Sequence, residues 1–332
     1  MAHLSLEELH EIGVKIFTQS NTSPEIAEIV AGALTAAQAD GQAGHGASRI
    51  PSYADQAKSG KVDGHAVPEL TQTAAAAVRI DAKSGFAYPA ITMGIDFAAD
   101  LVEDTGVVAL AVGHSHHSGA AGLHVERAAR KGLIALSFGN TPAAIAPWGG
   151  NRALYGTNPI AFACPRESSD PLVVDLSMSK VARGKILVAS QSGDPIPDDW
   201  AVDADGNPTT DAKEALSGTM LPMGDAKGAA LIMVVEILAA TLTGSQYGFE
   251  ASSFFEGEGP SPHVGQFFFL AKPGDLGGDA FADRLEVLLS AVTDQPGTRL
   301  PGDRRYDLRK KAEADGVDIP DKLHAEIMER LG

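Results

Sequence analysis

Three histidines occur within four residues, in the segment His114-Ser-His-His117. The segment follows Val107–Val112, a β-branched apolar run that predicts a buried strand, and it precedes a predicted helix over Ala120–Lys131. Backbone N–H groups at a helix N-terminus favour a bound anion such as a pyrophosphate. A histidine in such a loop can also pass a proton to a carbonyl oxygen while a hydride arrives at the carbon. The segment therefore predicts a loop that combines cofactor binding with proton transfer.

Two other interpretations of the histidine segment stay open at this point. His114 and His116 form an H-x-H pair that can present two imidazoles to a metal, with His117 beside them. No suitably spaced Asp or Glu follows nearby to complete such a ligand set. The segment can also be a solvated polar loop with no chemical role.

A second candidate cluster begins at Gly44-His45-Gly46 and continues with Arg49 and Tyr53. A new helix is predicted to begin around residues 47–50, because Pro51 is tolerated best near a helix start. On that helix Arg49 and Tyr53 are four residues apart and share a face. A guanidinium matches a carboxylate with two parallel hydrogen bonds, and a histidine beside it can act as proton donor. The alternative is a surface helix with a histidine in front of it by chance.

Two further positions suit a phosphate, a ribose or an amide. Gly224-Asp-Ala-Lys227-Gly228 opens a long apolar helix, so Lys227 and free N–H groups would face a bound phosphate or ribose hydroxyl. Asp175 ends a predicted strand over Leu172–Leu176 and could hold a ribose or an amide. The simpler interpretations are a solvated lysine and an aspartate that forms a turn.

The remaining elements predict a mixed α/β chain. The first 40 residues read as two helices, with start signals at Ser5 and Ser23-Pro24. Residues 194–210 are polar and rich in Pro, Gly and Asp, which predicts a surface excursion. The tail from Ala280 is predicted helical, with an interruption at Pro301–Arg305. The other predicted elements are a helix at 91–103 and strands at 76–80, 133–138, 160–163 and 266–270.

Composition excludes several classes of protein. The 332 residues include 26 Lys and Arg against 43 Asp and Glu, a formal net charge of -17. With no basic stripe, a nucleic-acid partner is not expected. The single cysteine, Cys164, excludes an internal disulfide and a cysteine-based zinc cage. The N-terminus lacks an export signal and the longest apolar stretch is too short to cross a bilayer, so we expect a soluble cytoplasmic protein of one or two domains.

A series of short blocks, taken together, resembles the type-2 malate/L-lactate dehydrogenase family over roughly residues 5–310. The blocks that carry the resemblance occur in the order Gly44-His-Gly-Ala-Ser-Arg49, His117-Ser-Gly119, Pro147-Trp-Gly-Gly150, Gly156-Thr-Asn-Pro159, Asp175, Leu221-Pro-Met-Gly-Asp-Ala-Lys-Gly228, Leu242-Thr-Gly244 and Val264-Gly-Gln266. The resemblance implies an α/β fold that is not a Rossmann fold, with a largely antiparallel central sheet and an N-terminal helical domain. That agrees with the absence of a G-x-G-x-x-G motif between a strand and a helix.

The resemblance also implies an activity and a set of roles. Members transfer a hydride between NAD(P)H and a small 2-oxo acid, or a cyclic 2-imino acid in the reductase branch, and are homodimers. Residues 1–75, joined by C-terminal helices of 280–332, would form the substrate-side domain, and 76–279 the cofactor-binding and catalytic domain. The catalytic residues would be His45 and His117. The substrate side is assigned to Arg49, Tyr53 and Thr141. The cofactor side is assigned to His117, Ser118, Gly119, Asp175, Leu176, Ser177, Lys227, Gly302, Asp303 and Arg304.

Two departures from the family pattern bear on the substrate. Gly44 stands where many members carry a serine, so a hydroxyl that could relay a proton to His45 is missing. Ser118 stands where many have phenylalanine; the ureidoglycolate-dehydrogenase branch shares the serine, but its later arginine is replaced here by Pro262-His263. The segment Asn140–Gly150 predicts an apolar wall beside the substrate. This favours a cyclic imine, Δ1-pyrroline-2-carboxylate or Δ1-piperideine-2-carboxylate, over the alternative of a 2-hydroxy acid of the malate, lactate or ureidoglycolate type. Neither NADH nor NADPH is favoured by any residue.

Overall fold

The computed structural model describes residues 1–331 of the chain. The helices are α1 Leu6–Gln19, α2 Pro24–Ala39, α3 Ile50–Ser59, α4 Ala87–Thr105, α5 Ala121–Arg130, α6 Arg183–Ser192, α7 Ala212–Ser217, α8 Asp225–Glu236, α9 Pro273–Gly277, α10 Phe281–Thr293, α11 Asp303–Asp315 and α12 Asp321–Met328. The strands are β1 Ala2–Leu4, β2 Glu69–Ala74, β3 Ala77–Asp81, β4 Val107–Ser115, β5 Ile134–Gly139, β6 Ile160–Cys164, β7 Leu172–Leu176, β8 Ala201–Val202, β9 Thr219–Met220, β10 Val264–Ala271 and β11 Val317–Ile319.

A seven-stranded sheet forms the centre of the molecule, in the order β2-β3-β4-β10-β5-β6-β7. Every neighbouring pair is antiparallel except β3 and β4, which run parallel. The predicted α/β fold with a largely antiparallel sheet is therefore confirmed. A sheet of this connectivity has no row of parallel strand ends at which a Rossmann cofactor site could form.

Helices α4 and α5 pack against the central sheet and close its largest apolar core. The close approach of α4 requires a glycine, because a Cβ at Gly94 would lie 2.8 Å from Ile80 Cδ1 and Leu110 Cδ2. The N-terminus of α5 comes just after His117-Ser-Gly119. The strand–loop–helix arrangement predicted around the histidines is thus present.

A second apolar core lies among the N-terminal helices and takes in the C-terminal segment. Leu9, Phe17 and Leu34 are buried there with Ile319 and Ile327. Strand β1 pairs with β11, so the two ends of the chain are joined. Helix α1 starts with the predicted capping box between Ser5 and Glu8, and Ser23 caps α2. The division of the chain at residue 75 stays a prediction; strand β2, which precedes that point, belongs to the central sheet.

The polar stretch 194–210 lies mostly at the surface, as its composition predicts, but four of its residues are buried and anchor it. Ile196 and Ala201 are buried in a third core, together with Ile186 of α6 and Met220 of β9. Strand β8 lies within the stretch and pairs with β9. A few apolar side chains, spaced among many turn formers, therefore suffice to anchor a small lobe.

Some predicted boundaries also move. Strand β4 continues through His114 and Ser115, which were expected in a loop, because Ser115 still pairs with Val264 of β10. Helix α4 begins at Ala87, before Pro89 rather than after it, since proline is accepted within a first turn. Within residues 1–331, no helix combines the length and the hydropathy needed to cross a bilayer.

Candidate active site

His116 and His117 leave the end of β4 and turn into the interior. His116 is fully buried and its Nε2 lies 2.5 Å from Gln56 Oε1. His117 is 7 % exposed and its Nδ1 lies 2.5 Å from the hydroxyl of Tyr53. Neither imidazole is solvated, so the interpretation of this segment as a polar surface loop is wrong.

One face of α3 supplies the partners of both histidines. Arg49, Tyr53 and Gln56 stand at intervals of four and three residues, which places them one above another on a helix. The first two were predicted as a pair; Gln56 was missed, although its spacing was visible in the sequence. The side chain of Gln56 is fully buried, and polar groups are buried only when they find partners.

Arg49 is a buried cation without a carboxylate partner. Its side chain is 8 % exposed, and its Nε donates to the carbonyl of Gly44 at 2.8 Å. Its Nη1 has no hydrogen-bond partner in the described part of the chain. The ring of Phe255 lies over the guanidinium, 4.5 Å from Cζ to the ring centroid. A guanidinium left unpaired in this way is arranged to receive an anion.

His45 lies beside this guanidinium and faces His117, with 5.4 Å between the two ring centroids. Burial lowers the pKa of His45 to about 4, and the Arg49 charge adds to the effect. Burial, followed by the same charge, holds the pKa of His117 well below its ordinary range. At neutral pH both imidazoles are therefore uncharged.

The proton on His117 has a preferred nitrogen. Burial raises the pKa of Tyr53 to about 12, so the phenol keeps its proton and can donate it to Nδ1. A neutral imidazole with an acceptor Nδ1 carries its hydrogen on Nε2. The Tyr53 hydroxyl is fully buried and contacts His117, so it fixes the orientation of the imidazole. Its predicted contact with substrate stays a prediction.

His114 is separated from the other two histidines. Its Nδ1 lies 3.2 Å from Asp81 Oδ1, and its ring faces His263 at 5.5 Å. Among residues 1–331, no group of three or more His, Cys, Asp or Glu side chains is arranged to hold a metal ion. The three histidines predicted as a possible metal site have diverging partners, so that interpretation has no geometric support.

Several residues predicted on the cofactor side lie around the N-terminus of α5. Gly119 has a φ of +66°, and a Cβ there would collide with the Tyr88 hydroxyl. The Asp175 carboxylate accepts the backbone N–H of Gly122 at 2.8 Å, and burial raises the pKa of this carboxyl. Ser118 is held through its carbonyl, which lies 2.7 Å from His124 Nε2.

The other predicted cofactor residues lie further out. Leu176 is exposed, and the Ser177 hydroxyl lies 2.6 Å from that of Ser179. Lys227 is an exposed residue in the first turn of α8.

The turn before α11 divides into a surface and a buried part. Gly302 precedes the helix with a φ of +93°, and Asp303 accepts the Leu300 N–H at 3.0 Å. Arg304 is exposed, whereas its neighbour Arg305 is buried and joins an ion-pair cluster. Asp303 also lines a cavity of about 280 Å³ together with Leu300 and Tyr306.

Acceptor atoms at this site fit a dinucleotide. Gln42 Oε1 is buried without a partner among residues 1–331, and Gln42 Nε2 lies 3.5 Å from Asp175 Oδ2. Ribose hydroxyls and a carboxamide are donors that such acceptors require, and the N-terminus of α5 favours a phosphate. Gln42 was not predicted, because an isolated glutamine after a helix carries no sequence signal.

Thr141 has a structural partner. Its Oγ1 accepts the backbone N–H of Thr157 at 2.9 Å. The neighbouring Asn158, also in the Gly156-Thr-Asn-Pro159 block, is fully buried and donates to Glu236 Oε2 at 2.6 Å. These contacts hold the backbone of the block in place. The predicted substrate contact of Thr141 stays a prediction.

A Cβ on Gly44 would meet no atom within 4 Å. Packing therefore does not require glycine in front of His45, and a serine could be accommodated there. Of the predicted side chains, the fold brings His45, Arg49, Tyr53 and His117 together. It places Asp175 at the adjoining helix end and leaves Lys227 and Arg304 at the surface.

Comparison with known proteins gives a consistent result. Residues 4–328 match the family model described as malate/L-lactate dehydrogenase. A (2R)-3-sulfolactate dehydrogenase (NADP(+)) of Chromohalobacter salexigens is 48% identical, over 98% of this chain and 96% of that protein. A Δ1-pyrroline-2-carboxylate/Δ1-piperideine-2-carboxylate reductase of Pseudomonas putida is 39% identical, over 98% and 96%. The crystal structure of the Δ1-piperideine-2-carboxylate reductase of Pseudomonas syringae superposes with a TM-score of 0.93 at 39% identity, covering 99% of this chain and 100% of that one.

Proposed function

Since the chain belongs to the malate/L-lactate dehydrogenase family, we propose that it reduces a small cyclic 2-imino acid with NAD(P)H. The substrate class is Δ1-pyrroline-2-carboxylate and Δ1-piperideine-2-carboxylate, and the products are L-proline and L-pipecolate. The chain is an oxidoreductase that uses NAD or NADP, like its relatives. The identity of its substrate is what we propose.

The observation that carries the proposal is one uncompensated cation beside two uncharged imidazoles. A cyclic 2-imino acid in its protonated form has one carboxylate and one N–H⁺ group. Arg49 has a free Nη1 for the carboxylate. The lone pair on Nδ1 of neutral His45, which is buried without a partner among residues 1–331, suits an N–H⁺ donor, because an imidazole carrying its own positive charge would repel it. The charges of site and substrate are thus complementary.

The residues divide the work as follows. The Arg49 guanidinium binds and orients the carboxylate, and its stacking on Phe255 limits its movement. Neutral His45 accepts a hydrogen bond from the iminium nitrogen. Tyr53 holds the tautomer and orientation of His117. Bound NAD(P)H supplies the hydride. Because the iminium nitrogen already has its proton, hydride addition at C2 gives the neutral secondary amine without a further proton donor, so the missing serine before His45 is no obstacle.

The cofactor side of the proposal uses the N-terminus of α5. His117, Ser118 and Gly119 would lie along the nicotinamide half, and Asp175 with Gln42 would accept from its hydroxyl or amide groups. Leu176, Ser177, Lys227 and the turn Gly302–Arg304 would hold the remainder. The buried, partnerless Gln42 Oε1 supports the first part of this assignment.

A 2-hydroxy acid dehydrogenase of the sulfolactate type is the second candidate, favoured by the 48% identity to the Chromohalobacter salexigens protein. A substrate with carboxylate and sulfonate groups needs a second cation. The nearby cations are Arg49 and Lys61: both lower the pKa of His116, and Arg49 lowers the pKa of His117. Lys61 Nζ already donates to three backbone carbonyls. This occupancy is the reason for preferring the imino acid.

A spectrophotometric panel tests the proposal. Purified protein is assayed with NADH and NADPH against both cyclic imino acids, pyruvate, oxaloacetate and sulfopyruvate. We expect the cyclic imines to have the highest kcat/KM. Turnover of sulfopyruvate or oxaloacetate with no turnover of the imines would replace the proposal by the second candidate.

We further propose a homodimer and a cytoplasmic location. The first rests on the outer face of α8 and the π-helical segment that follows it, where five large apolar side chains are exposed: Leu231, Met233, Val234, Ile237 and Leu242. Exposed apolar stripes of this kind mark protein interfaces. Sedimentation of the wild type and of Val234→Asp would give a dimer and a monomer; a monomeric wild type would remove the proposal. Cell fractionation tests the location.

A further inference from the structure

An aromatic segment covers the outer side of the site. We name residues Ser253–Glu258 the strap. Phe254 is buried, with its ring centroid 4.7 Å from that of His117. Phe255 is 69 % exposed and lies over the Arg49 guanidinium. The strap therefore forms an aromatic wall next to the two groups that meet the substrate.

The strap has no regular secondary structure, yet its backbone is tied down. Lys61 Nζ donates to the carbonyls of Ser253 at 2.7 Å, Glu256 at 3.0 Å and Glu258 at 3.1 Å. Gln56 Nε2 donates to the carbonyls of Phe254 at 2.9 Å and Glu256 at 3.0 Å. Five hydrogen bonds from two side chains thus define the path of six residues.

Lys61 is unusual among the lysines of this chain. Its side chain is 2 % exposed, and burial lowers the pKa of its ammonium. An ammonium has three donors, and each of them meets a strap carbonyl. Lys61 is therefore a buried cation whose partners are backbone carbonyls and whose donors are all used. Its burial is explained by the strap, to which these carbonyls belong.

Gln56 connects the strap to His116, which directly precedes His117 in the chain. Its Oε1 lies 2.5 Å from His116 Nε2, while its Nε2 holds the strap. A displacement of the strap would therefore shift the ring of Phe254 relative to that of His117. It would also disturb Gln56, the hydrogen-bond partner of His116. The anchor and the reacting groups form one unit.

We infer that Phe255 is a specificity-determining residue and that Lys61 is the residue that positions it. The strap selects carboxylates whose remaining body is flat and apolar, because a planar ring bound at Arg49 can stack against Phe255 whereas a second anionic group cannot. This inference rests on the proposed function, since it names what distinguishes the preferred substrate from linear 2-oxo acids at the same site.

The first experiment uses Phe255→Ala and Phe255→Leu. Because Phe255 is mostly exposed, both variants should fold. We expect KM for Δ1-pyrroline-2-carboxylate to rise about tenfold in Phe255→Ala, with a smaller rise in Phe255→Leu. We expect kcat to stay within about threefold and the KM for pyruvate to change little. An unchanged KM for the cyclic imine would overturn the role of Phe255.

The second experiment uses Lys61→Met, with Lys58→Met as matched control. Methionine keeps the apolar stem and removes the three donors, and Lys58 is an exposed lysine in the last turn of α3, three residues before Lys61. We expect faster amide hydrogen exchange in residues 253–258 and a KM rise in Lys61→Met, with neither change in Lys58→Met. Unchanged exchange in the strap would show that Lys61 does not position it.

A binding measurement separates this inference from the proposed function. Pyrrole-2-carboxylate is a flat carboxylate that cannot accept a hydride in this way. Calorimetric titration of wild type and Phe255→Ala should show weaker binding to the variant, even if the wild type reduces no cyclic imine. Absence of imine turnover would then remove the proposed function alone, whereas equal binding to both proteins would remove the strap's role.

Discussion

Two buried polar clusters lie in this molecule, and they are built in opposite ways. The site cluster contains Arg49 with His45, His116 and His117, and among residues 1–331 none of these four has a carboxylate partner. The ion-pair cluster contains equal numbers of acids and bases: Asp40, Glu126, Arg305 and Arg309.

The ion-pair cluster joins three elements. Asp40 ends α2, Glu126 is in α5, and the two arginines are on α11. Arg309 donates to both oxygens of Asp40, at 2.7 and 2.9 Å, and reaches Glu126 Oε1 at 2.7 Å. Arg130 and Asp170 extend the cluster at its edge, again with one charge of each sign. The cluster therefore connects the N-terminal helices to the sheet through α5.

The contrast shows how to separate a structural charge from a functional one. Breaking a balanced buried pair leaves one charge without compensation, so its members are expected to matter for folding. Removing an uncompensated cation leaves no such charge, so Arg49 is expected to matter for ligand binding and little for folding. The predictions that follow test this division.

The largest effect is expected on turnover from His117→Ala. Loss of the imidazole removes a positioned hydrogen-bonding group at the reacting centre, which lowers kcat by about 10²- to 10³-fold. Cofactor affinity should change much less. Steady-state kinetics and NADPH titration measure the two quantities, with His65→Ala, at an exposed histidine, as control. Unchanged turnover in His117→Ala would remove this residue from the mechanism.

The next effect is on folding, in Arg309→Met. This change leaves Asp40 and Glu126 with less compensation in a buried place, and the free energy of unfolding should fall by about 3–5 kcal/mol. Urea denaturation measures the loss. The KM for the imino acid should stay within about threefold. A variant as stable as the wild type would contradict the structural role of the cluster.

The reverse pattern is expected for Arg49→Met. Loss of a charge-assisted contact, about 2–3 kcal/mol, raises the KM for the carboxylate substrate about a hundredfold. Folding stability should change little, because no buried carboxylate among residues 1–331 is left without compensation. Denaturation and steady-state kinetics on the same preparation measure the folding stability and the KM. If Arg49→Met were as destabilised as Arg309→Met, the distinction between the clusters would be lost.

The smallest expected effect is the change of folding stability with each pH unit. Burial lowers the pKa of His116 to about 3 and that of His124 to about 4, against about 6.5 in an unfolded chain. Between these values the unfolded chain holds protons that the folded chain does not. Stability from these groups is therefore fully present above pH 6.5 and is lost as pH falls towards 4, at up to about 1.4 kcal/mol per pH unit for each histidine. Denaturation midpoints from pH 7 to 4.5 measure the slope, and a flat profile would mean that the histidines are not buried neutral.

Local patterns predicted much of the fold. Strand β7 lies at Leu172–Leu176 as predicted, and the strand–loop–helix around His117 is present, because alternation and capping are encoded within a few residues. The match to the family also gave the sheet type and the cofactor class. Arg49 and Tyr53 were found through helical spacing alone.

The missed features depend on residues far apart in the chain. Nothing near Lys61 or Gln56 indicates that they hold a segment almost 200 positions later. Likewise, Arg304 and Arg305 are adjacent and identical in type, and only the fold buries the second one. Thr141 was predicted on the substrate side from the family match, and its partner in the Gly156 block became visible only in three dimensions.

The sequence by itself determined the elements, the family and the chemical types at the reacting centre. The tertiary structure decided the charge state of those groups. A histidine or an arginine has its ordinary chemistry until burial removes water from it, and burial is a property of everything packed around the residue. That is why neutral His117, the unpaired Nη1 of Arg49 and the anchored strap could be recognised only after the helices, the sheet and residues 253–258 had been placed together.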